Sequence, residues 1–590
     1  MSFKLPNGIR GIVRSNAIGL LVVLILSIPT ILPLFNKGMF TMHDDTQVVR
    51  VQQMAAALAD GQLPVRWVQD LGYGYGYPLY NFYAPLPYYI GGLFVLLGFS
   101  PVVATKLMFG LGIVLSGVSM FLFARAYWGF WGGIASAILY QYAPYHAVEA
   151  YIRGAVGEYW AIGLLPLAAL GMLGSLGKLG RLGLNGGMLV GALGYAGVIL
   201  SHNILGMLLV LGTAPIIGTK FWQWYRSRLE KKADKKITHD FFRKMVTVSS
   251  VVLLGLGISA FFWLPAIMEM KYTQVDKIIG GAADPRNHFV FPDQLWDSPW
   301  GYAGSAPGRA DGMSFKIGKL HILLGILGGL GLAGRVGRKK NPCGQVCSIA
   351  LLLVVSVFMM LEISRPVWDA LPFLLFIQYP WRFLVFTLFA LSFFGGAIAV
   401  FPHIRQSMLA KPFLLAALSV LVIMVNAKYF KPQAYVFLEG ETYTDDQYVK
   451  WRTSRISDEY LPKDFPIPSG PEEIAGETFS MHTAGDIEEI TDKSFRQTAR
   501  ITVDRQSPLF INIAAFPGWK IFLDYRETEP EVKYGIMSIS LPAGTHIIEA
   551  KFTNTPVRTT ANALSLVSFL LLFGTIGKLP GRKNDKKTER

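Results

Sequence analysis

Charged residues are scarce in this sequence: they make up 16% of its 590 residues, whereas a soluble globular domain has about 25%. This scarcity excludes a soluble globular enzyme. The charges are also unbalanced, since 55 Lys and Arg outnumber 39 Asp and Glu and give a formal net charge of +16. A basic excess is typical of nucleic-acid binding and also of the cytoplasmic loops of membrane proteins, so its position along the chain decides between them.

Cysteine is almost absent. The two cysteines, Cys343 and Cys347, follow a run of basic residues at the start of an apolar block, and no histidine is nearby. A zinc site is therefore excluded. We interpret both as small helix residues in a reducing compartment.

Apolar residues, in contrast, are abundant and make up 52% of the chain. They fall into thirteen blocks, most of about the length that spans a hydrocarbon core of ~30 Å, which predicts a polytopic α-helical membrane protein. The blocks are 17–35, 84–98, 101–124, 130–143, 159–176, 185–200, 204–219, 246–268, 319–334, 346–363, 383–401, 413–429 and 558–577.

One block is predicted not to cross. If all thirteen crossed from a cytoplasmic N-terminus, the basic loop 220–245 would lie outside, against the positive-inside rule. Block 84–98 is short, contains Pro85 and Pro87, and is expected to be an interfacial helix on the outer face. Twelve crossings then place both termini in the cytoplasm.

The charges support this topology. The predicted cytoplasmic segments carry 27 basic and five acidic residues, which are spread from the N-terminus to the tail after residue 577. The basic excess is therefore an orientation signal, and we expect no nucleic-acid partner. The chain is predicted to lie in the cytoplasmic membrane.

The outer face receives segment 430–556, which holds 20 of the 39 acidic residues and no long apolar run. It alternates apolar and polar residues in short runs, so its second half is predicted to form an extracytoplasmic β-sandwich. The runs are Gln497–Val503, Leu509–Ala514, Trp519–Leu523, Ile536–Leu541 and Ile547–Phe552. The predicted domains are 1–429 (transmembrane, with outer loop 36–83 and interfacial helix 84–98), 430–556 (β-rich) and 557–590 (last span and basic tail).

Ionisable residues at the membrane edge are costly and are therefore candidates for function. The first outer loop opens with His43, Asp44 and Asp45 ahead of a helical pattern that is expected to lie along the interface. Helix capping by an Asp is the alternative interpretation. The second outer loop, 144–158, holds further candidates, for which a helical Glu149–Arg153 ion pair is the alternative. They are His146, Glu149, Arg153 and Glu158.

Two further clusters lie on the same side. His202 and Asn203 join two apolar blocks almost without a loop, and a hydrogen-bonded core histidine is the alternative there. Arg382 begins a span on the outer side beside aromatic residues, and its planar guanidinium suits phosphate oxygens. Snorkelling of Arg382 to the interface is the alternative.

A loop that alternates glycine and tyrosine follows the acidic pair. Its Tyr73, Tyr75 and Tyr77 offer flat faces and hydroxyls for sugar rings, and the glycines allow close approach of the backbone. An aromatic interface belt is the alternative. The loop is neither a P-loop nor a dinucleotide-binding motif.

The order of these segments resembles that of the C-superfamily (GT-C) glycosyltransferases, and more closely that of bacterial YfhO-like membrane proteins. Relatives of the latter include proteins labelled as 6-pyruvoyl-tetrahydropterin-synthase-related. The motifs that carry the resemblance are His43-Asp44-Asp45-Thr46, Gly61-x-x-Pro64-x-Arg66-Trp67, the Gly72–Tyr83 loop, Tyr151-x-Arg153-x4-Glu158, Ser201-His202-Asn203, Gln378–Phe383 and Phe516-Pro517-Gly518-Trp519.

The resemblance implies an enzyme that transfers a sugar from a polyprenyl-phosphate donor to a cell-envelope glycan or lipid acceptor on the outer face. Asp44 corresponds to the carboxylate expected to act as general base, although Asp45 is a second candidate for that role. Arg382, with Arg153, would stabilise the departing phosphate. Glu158 would orient Arg153 or share a divalent metal ion with Asp44 or Asp45.

Two non-enzymatic hypotheses stay open on the sequence alone. One is a carrier or flippase for lipid-linked sugars, which predicts inverted repeats and charges near the bilayer midplane. The other is a membrane-anchored sugar-binding protein whose active part is the β-rich segment.

Overall fold

The fold is taken from a computed structural model, which describes residues 7–175, 183–230, 235–275, 284–333, 343–401, 404, 410–438, 440–483 and 485–576. Within these ranges, eight helices are long and apolar enough to cross a membrane. The membrane-length and related apolar helices are Asn7–Ile31, Pro101–Gln141, Val156–Ser175, Gly183–Ser201, Asn203–Leu229, Lys235–Ile258, Lys319–Ala333, Cys343–Met360, Leu384–Gly396, Ala410–Asn426 and Pro556–Ile576.

The 41-residue helix Pro101–Gln141 is a hairpin of two antiparallel helices. Its backbone breaks at Gly129, whose φ of 75° lies in the left-handed region that glycine tolerates. The Gln141 side chain donates a hydrogen bond of 3.2 Å to the Ile113 carbonyl, 28 residues away, although a straight helix would separate the two by about 42 Å. The chain therefore reverses at Gly129, between two of the predicted blocks.

The eight long helices make nine apolar segments when the two halves of this hairpin are counted separately. The shorter apolar helices Gly186–Ser201, Lys319–Ala333 and Gly344–Met360 bring the number to twelve, which matches the twelve predicted crossings. The thirteenth block forms Leu86–Leu96, whose 11 residues span about 16 Å and are too short to cross ~30 Å. The first-loop helix Gln47–Ala59 packs against it and buries Val49, Val51 and Met54. It lies inside the protein, whereas the sequence predicted that it lies along the interface.

The connecting segments sort to two ends of the helix bundle. At one end the predicted outer segments bond to one another, as where Thr41 N–H donates to Ala434 O and Val290 N–H donates to Met360 O. At the other end Gln345 donates to the Leu173 carbonyl at 2.6 Å. Of the 27 basic residues that oriented the topology, 16 lie outside the described residues: Lys4, Lys178, Arg181, Lys231, Lys232, Arg335, Arg338, Lys339, Lys340, Arg405 and the six after residue 577.

The shorter helices belong mainly to the first of these ends, which we call the loop end. They are Gln47–Ala59, Leu79–Phe82, Leu86–Leu96, Pro144–Val148, Ala260–Glu269, Pro292–Asp297 and Arg365–Ala370. A two-residue strand, Met39–Phe40, pairs antiparallel with Tyr435–Val436 and ties the first loop to the start of the C-terminal region.

The C-terminal region contains two antiparallel sheets, as a β-sandwich requires. In hydrogen-bonding order one sheet is Phe479–Met481, Ser507–Ala514, Ile536–Leu541 and Glu531–Lys533, and the other is Gly485–Lys493, Arg496–Val503, Gly544–Phe552, Trp519–Leu523 and Arg526–Thr528. All five predicted runs are strands, so alternation of apolar residues identified them correctly. The division into domains at residues 430 and 557 stays a prediction.

Candidate functional site

A buried cluster of charges lies at the loop end and is formed by Glu149, Arg153, Glu158, His202 and Arg382. We call it the arginine–glutamate cluster. Glu158 is fully buried at the start of helix Val156–Ser175 and accepts hydrogen bonds from Arg153 Nη1 at 2.7 Å and from the Tyr145 hydroxyl at 2.8 Å. A buried carboxylate is tolerated only with such partners.

Arg153 links the two glutamates. Its Nη1 donates to both oxygens of Glu149, at 2.5 and 2.6 Å, and its Nη2 makes no hydrogen bond to any described residue. The guanidinium lies 4.6 Å from the centroid of the Trp381 ring. The predicted Glu149–Arg153 ion pair is therefore present, within a π-helical turn. Burial raises the pKa of Glu149, and the neighbouring Glu158 carboxylate adds to this effect.

The turn is held in place by Gly154. This residue has a φ of 65° and packs so closely on Met42 that a Cβ would lie 2.2 Å from the Met42 sulfur. A side chain at this position would be strained at this φ and would force the Met42 side chain to move. The close approach brings the first outer loop alongside the second.

Arg382 completes the cluster from the third outer segment. Its Nη1 donates to the Ile377 carbonyl at 2.6 Å and to the Gln378 side chain at 3.0 Å. Arg382 is buried rather than snorkelling. Its Nε lies 3.5 Å from Glu158, within ion-pair distance, but neither this atom nor the buried Trp381 Nε1 has a hydrogen-bond partner. Such donors are rare and costly and call for an explanation.

His202 approaches Glu158 from the junction of two helices. Its Nδ1 accepts a hydrogen bond from Leu205 N–H and caps helix Asn203–Leu229, so Nε2 carries the proton of the neutral ring, 4.0 Å from Glu158. Burial lowers the pKa of His202 and keeps the ring neutral. Asn203 donates to the Phe82 carbonyl at 2.7 Å, which joins the junction to the first loop.

The acidic pair lies beside this cluster. His43 N–H donates to Ile152 O and Asp44 N–H donates to Arg153 O at 2.9 Å, so the two loops run together. The carboxylate of Asp44 is half-buried and makes no hydrogen bond or ion pair to the residues described. Asp45 lies 3.4 Å from Arg452. Thr46 is the N-cap of the following helix, without a side-chain cap bond, so helix capping does not explain the pair.

Sequence reasoning missed Arg50, which contacts Tyr83 at the end of the glycine–tyrosine loop. Arg50 is buried with its guanidinium 4.3 Å from the Tyr83 ring centroid. Burial raises the pKa of Tyr83, and the negative charge of Asp44 adds to this effect. The available signal was an arginine between Val49 and Val51 on the apolar face of the first-loop helix.

The remaining predicted residues lie apart from the cluster or are engaged elsewhere. The Tyr73 hydroxyl donates to Asp458 and the Tyr75 hydroxyl donates to the Glu473 carbonyl, while the Tyr77 hydroxyl accepts from Tyr460 N–H. These tyrosines pack the first loop against the C-terminal region, and their sugar-binding role stays a prediction. His43 Nε2 lies 2.9 Å from the Tyr302 carbonyl. His146 is buried against Tyr140.

Asp44, Asp45 and Glu158, the predicted metal ligands, do not come together as a group of three in the structure. Among the described residues, no three His, Cys, Asp or Glu side chains are placed to share an ion. Glu158 is occupied by Arg153 and Tyr145, and Asp45 pairs with Arg452. A metal ion that Glu158 shares with Asp44 or Asp45 therefore stays a prediction, which would require Glu158 or Asp45 to release these partners.

The fold and this site define a polytopic helical membrane protein with a C-terminal β-sheet region and a charged site at one end of its helix bundle. No protein-family model matches the chain, and a comparison with curated proteins gives no match. Among solved structures, it is similar to the arabinofuranosyltransferase AftD from Mycobacteria (15% identity, TM-score 0.41, 73% of this chain and 28% of that chain). The AftD mutant R1389S gives similar values, with a TM-score of 0.42.

A further similarity is to the crystal structure of ArnT from Cupriavidus metallidurans bound to undecaprenyl phosphate. The identity is 12% and the TM-score 0.28, over 70% of this chain and 89% of that chain. The chain spans less than a third of the length of the AftD protein. Similarity at this level identifies neither a substrate nor a catalytic residue.

Proposed function

We propose that this protein is a GT-C-type membrane glycosyltransferase that transfers a sugar from a polyprenyl-phosphate donor to an acceptor hydroxyl of the cell envelope. The reaction would take place on the outer face of the cytoplasmic membrane, with the β-sheet region extracytoplasmic and both termini cytoplasmic. The observation that carries the proposal is the Asp44 carboxylate, which has no partner among the described residues and lies in a loop that hydrogen-bonds to the backbone of Arg153. The sequence resemblance supplies the donor class.

In this proposal Asp44 is the general base. It removes the proton of the acceptor hydroxyl as that oxygen forms a bond to the anomeric carbon of the donor sugar. The bond between the anomeric carbon and the phosphate oxygen breaks, and its electron pair leaves with the lipid phosphate. Asp44 is suited to this role because no cation or donor of the described chain competes for its lone pairs.

Arg382 and Arg153 would stabilise the negative charge that grows on the departing phosphate. The donors of this cluster that make no hydrogen bond to a described residue are Arg382 Nε, Trp381 Nε1 and Arg153 Nη2, and Arg382 Nε lies 3.5 Å from Glu158. Glu149 and Glu158 fix the position of Arg153, so no reorganisation is needed when the charge develops. Glu158 is a positioning residue here, because both its oxygens face protein donors.

The same positions argue against a carrier or flippase. Glu158 lies in the first turn of its helix, Arg382 immediately precedes a helix, and His202 caps one. A carrier would require charges along the translocation path near the middle of the bundle. No observation favours the anchored sugar-binding alternative over transfer.

The test is sugar transfer by the full chain in proteoliposomes that contain a panel of radiolabelled polyprenyl-phosphate sugars. Wild type is expected to transfer label to envelope acceptors, and Asp44→Asn to be slower by about 10²- to 10⁴-fold. Asp504→Asn, an exposed aspartate of the β-sheet region, is the matched control and should keep the wild-type rate. Equal rates for wild type and Asp44→Asn would contradict the assigned base.

A further inference from the structure

A groove of about 630 Å³ opens at the start of the C-terminal region. Its volume is in the range of small-molecule sites. The segment that lines it, residues 442–456, includes the π-helical stretch Gln447–Thr453. Four of its side chains carry the chemistry discussed below: Tyr448, Trp451, Arg452 and Arg455.

The two arginines are paired with aromatic rings. The Arg452 guanidinium lies 5.0 Å from the Tyr448 ring centroid, and the Arg455 guanidinium lies 5.0 Å from that of Trp451. Both arginines are exposed, and Arg455 makes no ion pair with any residue in the described part of the chain. Stacking on a ring orients the planar fork of an arginine toward a ligand.

The acidic residues around the groove are already engaged. Asp445 accepts from Tyr448 N–H at 3.0 Å, and Asp446 pairs with Lys450 at 2.8 Å. Asp458 accepts from the Tyr73 hydroxyl at 2.9 Å. The charged side chains that line the groove are Arg452, Arg455 and Asp445, so the lining carries one more positive than negative charge.

The groove adjoins the candidate base. Arg452 Nη2 lies 3.4 Å from the carboxylate of Asp45, the residue after Asp44, and Trp451 packs on Tyr73 of the first loop at 5.7 Å between ring centroids. The Arg452–Asp45 pair is exposed and long, so it contributes little. A ligand that offers a bidentate anion can displace it.

From these contacts we propose that the groove binds an acidic saccharide, carrying carboxylate or phosphate groups, as the acceptor. Arg455 and Arg452 bind the anionic groups, and Trp451 and Tyr448 hold the two guanidiniums in the groove. This inference rests on the proposed transferase function, because it names the acceptor class of that same site. A neutral acceptor would gain nothing from two exposed arginines held in one groove.

Binding is tested with the purified full chain in nanodiscs, without a donor. The probes are an oligogalacturonate, its methyl-esterified form as the uncharged match, and a glycerol-phosphate oligomer. We expect at least one of the two acidic probes to bind about tenfold more tightly than the methyl ester, with an affinity that falls as salt rises. The acidic probe that binds identifies whether carboxylate or phosphate is the preferred anion.

The variants localise the site. Arg455→Gln should weaken binding of the acidic probe about tenfold, and Arg455→Lys should weaken it less because the charge is kept. The exposed Arg526→Gln in the β-sheet region is the matched control and should bind as wild type does. The inference is overturned if the methyl ester binds as tightly as both acidic probes, or if Arg455→Gln and Arg526→Gln bind alike.

This experiment separates the two proposals, because binding needs no turnover. Salt-sensitive binding that is lost in Arg455→Gln supports the groove even if no sugar is transferred. Transfer that depends on Asp44, combined with an acceptor KM unchanged in Arg455→Gln, would leave the transferase proposal intact and contradict the groove.

Discussion

Two buried arginine–glutamate groups lie at the loop end of this protein, and they differ in how completely they are paired. In the first, Arg382 Nε and Trp381 Nε1 lack hydrogen-bond partners, and the backbone of Arg153 hydrogen-bonds to the loop that carries the unpaired Asp44. In the second, which we call the strut, Glu269 accepts from Arg558 Nε at 2.9 Å, from Asn81 at 2.9 Å and from the Thr555 hydroxyl at 2.6 Å.

The strut joins elements that are distant in sequence. Arg558, at the start of the last helix, also donates to the Pro517 and Thr553 carbonyls of the β-sheet region. Arg66 of the first loop joins the strut because it donates to Asn81. Arg66 Nε is the donor of the strut that has no hydrogen-bond partner among the described residues. No free carboxylate adjoins the strut in the described chain. The difference teaches that buried charge alone does not mark a site, and the larger number of donors without hydrogen bonds is the reason why we propose the first group, and not the strut, as the site.

The largest effect on stability is expected for Arg558→Gln. It leaves Glu269 buried without its cation, and breaking such a pair costs about 3–5 kcal/mol. The apparent melting temperature in detergent should fall markedly, while transfer per folded molecule should stay close to wild type. The exposed Arg526→Gln should change neither, and a lost rate at wild-type stability in Arg558→Gln would show that the strut belongs to the site.

Arg382→Gln is expected to lower the melting temperature less than Arg558→Gln does and to lower the transfer rate more. Transfer should fall about 10²- to 10³-fold, the size expected for loss of one electrostatic donor to a developing anion. Glu158 keeps Arg153 and Tyr145, so the melting temperature should change less than in Arg558→Gln. Initial rates at saturating donor measure the loss. A variant that melts early but transfers normally would assign Arg382 to structure.

The smallest effect is a pH dependence at Asp45. Burial raises its pKa above the usual 3.8, against the opposing charge of Arg452. A raised pKa in the folded state stabilises the fold below the unfolded pKa, and this contribution is lost as the pH rises through the folded pKa.

The asparagine of Asp45→Asn does not ionise, so the variant does not lose this contribution as the pH rises. The melting temperature of the variant minus that of wild type should therefore increase from about pH 4 upward. The side chain is 43% exposed, and the effect should stay well below about 1 kcal/mol. Melting curves over this range measure it. A difference that is constant or shrinks with pH would contradict the raised pKa.

The sequence was sufficient for features with a local or periodic signal. Apolar block lengths and loop charges gave the twelve helical segments and the non-crossing Leu86–Leu96, and alternation gave five strands. The Arg153–Glu158 contact was foreseeable because both residues lie in one loop.

Features that depend on long-range contacts had no such signal. Arg558 and Glu269 are 289 residues apart, and Arg452 meets Asp45 across 407 residues. The alternation of glycine and tyrosine in the first loop suggested a ligand-binding surface. In the structure Tyr73 of this loop contacts Trp451 and Asp458, which lie almost 400 residues later in the chain and are brought to the loop only by folding. Pairing of a side chain with a distant segment cannot be derived from a single sequence pattern.

The central claim is that Asp44 acts on the acceptor while the arginine–glutamate cluster holds the donor phosphate. It is tested most directly by the transfer rate and the melting temperature of Asp44→Asn, measured on the same proteoliposome and detergent preparations. Because Asp44 has no partner to lose, the account predicts a rate at least about 100-fold below wild type at an unchanged melting temperature. A wild-type rate, or a loss of rate that merely follows a fall in stability, would contradict it.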